Sequence, residues 1–373
     1  MTMIVSPPTE ARDWNGEFDF WKFVACLSIL LVHTRLFYGG ERLFFGNGHY
    51  AVELFFLLTG FFFAKSVHRD ERPFSREKIG TETWQFIWRK IKTFLPFYLF
   101  GYLCTLAIAA FRIPIGRFVR CTLPGVPLDM LLLGETGIPV PYLQVINWYL
   151  SSMLVVLFFL YPLFRLAKGL LSEWLAPVFA LLLLGMTFTR FGTCAPHVQD
   201  RLALMPACLF RAMSEILLGM FANRVSEKLR KSAPDLSRRS RILLSILGSF
   251  APVAAFLLIG LTKSDRISPA ILLFFFLFVS LSGAGLSIAR SRFPVAICRR
   301  LARFGLALFL THTAVRYALR EIARFVPVLH RLFAGRDCAS IGGMLVVYLS
   351  ASAALALLCM AVCDRLFPAA KGR

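Results

Sequence analysis

The chain alternates long apolar blocks with shorter polar connections. Ten blocks read as membrane spans: Phe20–Tyr38, Tyr50–Ser66, Thr93–Phe111, Trp148–Leu166, Trp174–Phe188, Ala207–Ala222, Ile242–Leu261, Pro269–Ala289, Leu301–Tyr317 and Ile341–Cys363. A hydrocarbon core about 30 Å thick takes about 20 helical residues to cross. Lipid offers no partner to a free backbone N–H or C=O, so such blocks must be helical. The two-residue alternation of a membrane barrel is absent. The predicted fold is an all-α polytopic membrane protein, with one bundle over residues 20–363, an N-terminal segment 1–19 and a tail 364–373. The block after Lys22 lacks a small-residue cleavage site and reads as a permanent first helix. Residues 81–92, TETWQFIWRKIK, place Trp84, Ile87, Trp88 and Ile91 at helical spacing with basic residues around them. That pattern predicts a separate helix lying at the membrane surface.

Composition supports this reading and charge orients it. The chain is 57% hydrophobic and 17% charged, which does not suit a soluble domain of 373 residues. A net charge of +21 would fit nucleic acid taken alone, but basic residues also gather in the inner loops of membrane proteins. With a cytoplasmic N-terminus, 27 of the 42 Lys and Arg residues fall on the inner side and 15 on the outer. Both termini are therefore predicted cytoplasmic, and no nucleic-acid partner is expected. The last outer connection, near Arg320 and Arg331, is more basic than this rule favours. The nine cysteines show no paired metal-type spacing, so no metal site is expected. Cys121, Cys194 and Cys338 fall in outer connections, where any two could pair.

Ionisable groups inside spans are costly and mark candidate chemistry. The first span holds Lys22 and His33, eleven residues apart and so on nearly one helical face. Lys22 falls near the inner surface and His33 in the outer half. Glu53 sits at the outer end of the second span. The ninth span brings His312 to a depth comparable to His33, with Arg316 one turn further out. Trp148 and Tyr149 open the fourth span at the outer interface, where they could anchor the helix or stack on a sugar. Arg211 and Glu215 are one turn apart in the sixth span and read as a simple pair. Thr59-Gly60 reads as a close-packing point.

At these residues the chain resembles the membrane acyltransferase 3 family. Lys22-x10-His33 is similar to the family's basic-x10-histidine motif. VELFFLLTGFFFAKS (52–66) resembles its FFxxSG stretch, with Thr59 in place of serine. WRKIKTFLPFYL (88–99), INWYLSSMLVVLFFLYP (146–162) and LFLTHTAV (308–315) resemble its basic segment, its WxL segment and its late histidine motif. Two further positions differ: Met153 stands where many members carry Glu, and Lys22 replaces the commoner Arg.

The resemblance implies a bacterial inner-membrane O-acetyltransferase modifying a glycan or lipid-linked saccharide. Its co-substrate would be acetyl-CoA or another short acyl-CoA, with no tightly bound cofactor. Lys22, Arg89 and Lys92 would bind the donor's phosphates at the basic inner surface. His33 would be the general base, with Glu53 or His312 orienting it or facing the oxyanion. Trp148, Tyr149 and Arg316 would meet the acceptor. A homo-oligomer stays open. The rival class is a transporter of a sugar or anion that uses the histidines as a proton relay. The chain shows neither an inverted repeat nor the paired broken helices of that class.

Overall fold

A computed structural model describes residues 15–37, 45–136, 143–144, 146–197, 199–288, 294–335 and 337–368. Among these, ten helices run for 16 residues or more, one per predicted span. They are α1 (Gly16–Val32), α2 (Ala51–His68), α3 (Ile79–Arg112), α4 (Asn147–Leu166), α5 (Ala176–Phe191), α6 (Ala207–Ser232), α7 (Arg238–Leu261), α8 (Ser268–Ala284), α9 (Val295–Ile322) and α10 (Cys338–Leu366). A two-stranded ribbon pairs Arg201–Leu202 with Met205–Pro206. All nine cysteines are free. The predicted span ends Tyr38 and Ala289, most of the predicted N-terminal segment and half of the predicted tail lie outside the described residues.

Two boundaries are corrected. α1 starts at Gly16, four residues before the predicted span, because Asn15 caps it by accepting from the Glu17 N–H at 3.1 Å. Segment 81–92 is not a separate surface helix. It is the first part of the 34-residue α3, and its proposed apolar face is split. Ile87 is buried, while Trp84 and Trp88 stack on each other at 6.1 Å and stay exposed.

Ring and side-chain contacts give the helix directions. Phe23 meets Phe304 and His33 meets His312, so α1 and α9 run parallel. Phe97 meets Arg303 and Arg112 meets Tyr317, which makes α3 parallel to both. α2 and α4 are likewise parallel, through Phe56–Tyr149 and Phe63–Phe164. α1 opposes α2, with Phe18 against Phe61 and Ser28 against Gly48. Directions thus alternate along the chain in these pairs, as they must when a chain recrosses a slab.

Seven of the ten helices, some with an adjoining turn, are long and apolar enough to cross a membrane. The other three are α1, α6 and α9, which carry buried charge at Glu17, Asp19, Arg211, Glu215 and Arg316. The apolar helices also show exposed hydrophobic surface, for example Leu181, Leu182, Phe250, Leu257, Val346 and Leu357. In lipid such surface meets no opposing drive to bury, whereas a charge must be shielded by protein.

Glycine sets one crossing. A Cβ on Gly60 would lie 1.9 Å from the Ile216 carbonyl oxygen, and one on Gly219 2.1 Å from that of Leu57. α2 and α6 therefore touch backbone to backbone at both points, as the Thr59-Gly60 pair suggested. Gly60→Ala or Gly219→Ala is expected to cost about 1–3 kcal/mol or more through overpacking. Gly80→Ala, with nothing within 4 Å, should be neutral or stabilising by up to about 1 kcal/mol, since alanine is the better helix former. Melting temperatures in detergent check the contrast; equal losses at Gly60 and Gly80 would refute it.

Candidate active site

α1 ends at Val32, and His33 begins a tight 3₁₀ turn to Leu36. Gly305 lets α9 approach α1 closely, since a Cβ there would stand 3.3 Å from Cys26 Sγ and 3.4 Å from Phe23. The parallel pairing brings His33 beside His312, with ring centroids 5.0 Å apart and planes 30° apart. The Arg316 Nη1–H donates to His33 Nδ1 at 3.2 Å. A guanidinium can only donate, so His33 Nδ1 is an acceptor here and a neutral ring carries its proton on Nε2. The reverse holds at His312. Its Nδ1–H donates to the Phe309 carbonyl at 2.7 Å. Its Nε2, fully buried, meets no hydrogen-bond partner among the described residues. That nitrogen is the open proton-accepting atom of the pair.

Arg316 is 5% exposed and has no carboxylate within 4 Å among the described residues. Its guanidinium carbon sits 4.7 Å from the Tyr317 ring centre, and Arg112 covers the same ring at 4.9 Å. Tyr348 of α10 is fully buried beside Phe37, its hydroxyl is unpartnered among the described residues, and it lies within electrostatic reach of Arg316. A buried cation without a counter-charge is costly. Here it stands next to two imidazoles, where a negative charge developing in a reaction would supply what is missing.

The opposite end of the bundle holds a polar recess of about 380 Å³. It is lined by Ser66, Arg69, Asp70, Arg72, Arg89 and Lys90, among others. Asp70 binds Arg72 at 2.6 Å and the buried Arg165 at 3.4 Å, and Arg165 reaches Glu82 at 3.3 Å. The Arg72 hydrogen bond holds the Asp70 carboxyl at about 2. A depressed carboxyl contributes stability above its ordinary range and loses it as pH falls through about 2, so this network is intact at neutral pH. Arg89 makes no ion pair among the described residues. No group of three or more metal-ligating side chains occurs among the described residues.

A family model described as an acyltransferase domain matches residues 15–364, from the cap of α1 to the last turns of α10. The chain belongs to the acyltransferase 3 family. It is a membrane acyltransferase. Neither curated proteins nor solved structures give a match.

Within this acyltransferase, the structure brings His33, His312 and Arg316 together and separates other expected members. Glu53 meets no histidine: both its oxygens are taken by Arg211, whose Nη2–H donates at 2.6 Å and Nε–H at 3.2 Å. Glu215 lies 3.7 Å from the same guanidinium, so Arg211 serves two buried carboxylates rather than its own-helix neighbour alone. Trp148 stacks on Arg211 at 5.0 Å, and Tyr149 packs among Phe55, Phe56 and Phe309. Each is 8% exposed, so neither offers an open face to a sugar. At the other end Lys22 is paired with Asp19 at 3.0 Å and covers the Phe62 ring, and Lys92 lies over Trp88. Of the three expected donor-binding cations only Arg89 lines the recess, and Lys90 joins it. The Thr59 hydroxyl lies 3.8 Å from Met153 Sδ, so two of the positions that differ from the family pattern touch each other. Tyr348 escaped the sequence reading, because a lone tyrosine in an apolar span gives no periodic signal.

Proposed function

We propose that this acyltransferase moves an acetyl or other short acyl group from acyl-CoA to a hydroxyl of an extracytoplasmic saccharide. In this reading the bundle crosses the bacterial inner membrane ten times between cytoplasmic termini. The recess of Arg69, Arg89 and Lys90 then faces the cytoplasm and takes the donor's phosphates. The imidazole pair lies toward the outer surface, where the acceptor arrives. One observation carries the chemistry: His312, whose buried Nε2 has no partner among the described residues, lies 5.0 Å from a second imidazole that is held by a guanidinium with no carboxylate partner among those residues.

The base expected at His33 is better served by His312, since Arg316 already occupies Nδ1 of His33. His312 Nε2 takes the proton of the acceptor hydroxyl as its oxygen attacks the thioester carbonyl. Arg316 faces the oxygen that gains negative charge. The tetrahedral species collapses, the C–S bond breaks, and the sulfur takes the proton from His312. The products are an ester and free CoA. His33 holds Arg316 in place through the hydrogen bond at Nδ1.

The test is acceptor-dependent release of CoA thiol from acetyl-CoA by the protein in membrane vesicles. Arg89→Gln is expected to raise KM for acetyl-CoA about tenfold through a lost charge-assisted hydrogen bond, with kcat kept. The same variant should no longer distinguish acetyl-CoA from its 3′-dephospho form. Retained discrimination would remove Arg89 from the donor site. No thiol release with any glycan fraction would end the acyl-transfer reading.

A further inference from the structure

The basic character of the outer end is unexplained by acyl transfer alone. Residues 316–337 contain five arginines against Glu321 and Asp337, on the side where basic residues are normally depleted. Among them Arg320 and Arg331 are exposed and have no carboxylate partner among the described residues, and Arg324 pairs with Glu321. Arg117 and Arg120 add exposed charge on the neighbouring connection. The same two segments contribute Thr122 and Tyr317 to a cavity of about 160 Å³ that is also lined by Tyr102, Ile108, Arg112 and Val126.

The cavity is tied to the reacting centre by one stack. Arg112 and Arg316 lie against the same Tyr317 ring, and Arg316 donates to His33. Two guanidinium groups around one ring repel each other unless an anion joins them. Asp129, which accepts from the cavity residue Tyr102 at 3.2 Å, is 1% exposed and also accepts from Asn147 at 2.6 Å and from the Leu143 N–H at 2.9 Å. It gives Arg112 no ion pair among the described residues. The cavity is smaller than a site for a drug-sized ligand, so it suits one ring or one acidic group.

We infer that this cavity is the acceptor subsite and that the acceptor is an acidic saccharide, its carboxylate or phosphate held by Arg112 one ring away from Arg316. The inference rests on the acyl-transfer reading above and names its substrate class. The surrounding arginines raise the local concentration of such an acceptor, an effect that weakens with salt. Thr122 supplies a polar contact to the ring, and Tyr317 holds Arg112 in position.

The experiment compares the strain that encodes the protein with a deletion strain and with the deletion complemented by wild type, Arg112→Gln, Arg112→Lys or His33→Ala. Surface glycans are separated by anion exchange and their base-labile acyl content is measured. Acyl groups are expected in the retained, acidic fraction. Arg112→Gln should lower that content about tenfold with the acetyl-CoA KM unchanged, and Arg112→Lys should restore most of it. Carboxyl reduction, in one arm, or dephosphorylation, in the other, should move the acylated material to the neutral fraction and so identify the acidic group. Acyl groups in the neutral fraction of untreated glycans, or an unaffected Arg112→Gln, would overturn the inference. No difference between deletion and parent, or full activity in His33→Ala, would instead strike the acyl-transfer reading itself.

Discussion

His33→Ala and His312→Ala are each expected to lower acyl transfer by about 10²–10⁴-fold, the usual contribution of a positioned acid or base. The two losses should not add. The rings are 5.0 Å apart and share Arg316 as a neighbour, so removing either disables one unit. The double variant should therefore be little worse than the worse single one. The acetyl-CoA KM should stay constant, because the recess of Arg69 and Arg89 lies at the other end of the bundle. His312→Asn sharpens the assignment. Its amide N–H can replace the bond from Nδ1 to the Phe309 carbonyl, yet it carries nothing at Nε2. If the proton passes through Nε2, His312→Asn falls with alanine. Wild-type turnover in His312→Asn would move the base to His33.

Much of this arrangement is legible in the sequence. Ten apolar blocks became ten long helices because a membrane span is signalled by composition over about 20 residues. His33, His312 and Arg316 stood out because ionisable groups in such blocks are rare. Their meeting was not derivable from spacing, since 283 residues separate His33 from Arg316. It depends on α1 and α9 running parallel and touching at Gly305. The partner of Glu53 is hidden from the sequence for the same reason. Arg211 lies 158 positions away, and the i, i+4 spacing of Arg211 and Glu215 advertised a closer, weaker match. Trp148 carried an interface signature, but the cation above it converts the ring from a sugar platform into a support for Arg211. Lys22 reads as a donor-binding cation because it falls among the basic residues of the inner surface, and Asp19 lies outside the predicted first span. The early start of α1 buries that aspartate and pairs the two.

The buried arginines 211 and 316 should respond oppositely to removal. Arg211 holds Glu53 through two hydrogen bonds and stands 3.7 Å from Glu215, all at 3% exposure or less. Arg211→Met leaves two buried carboxylates without their cation, a change expected to cost about 3–5 kcal/mol. Arg316 has no carboxylate partner among the described residues to strand. Arg316→Met gives up one hydrogen bond to His33, worth about 1 kcal/mol, and also removes an uncompensated buried charge, so the melting temperature should hold or rise. Acyl transfer should nevertheless fall about 10²–10³-fold, as when a donor to a developing oxyanion is lost. Thermal unfolding in detergent and thiol release, measured on the same preparations, separate the two residues. A shared drop in stability would make Arg316 a structural ion-pair member like Arg211. A stable but inactive Arg316→Met would show that this cation is kept at a cost to the fold, for a charge that exists only while the acyl group is in transit.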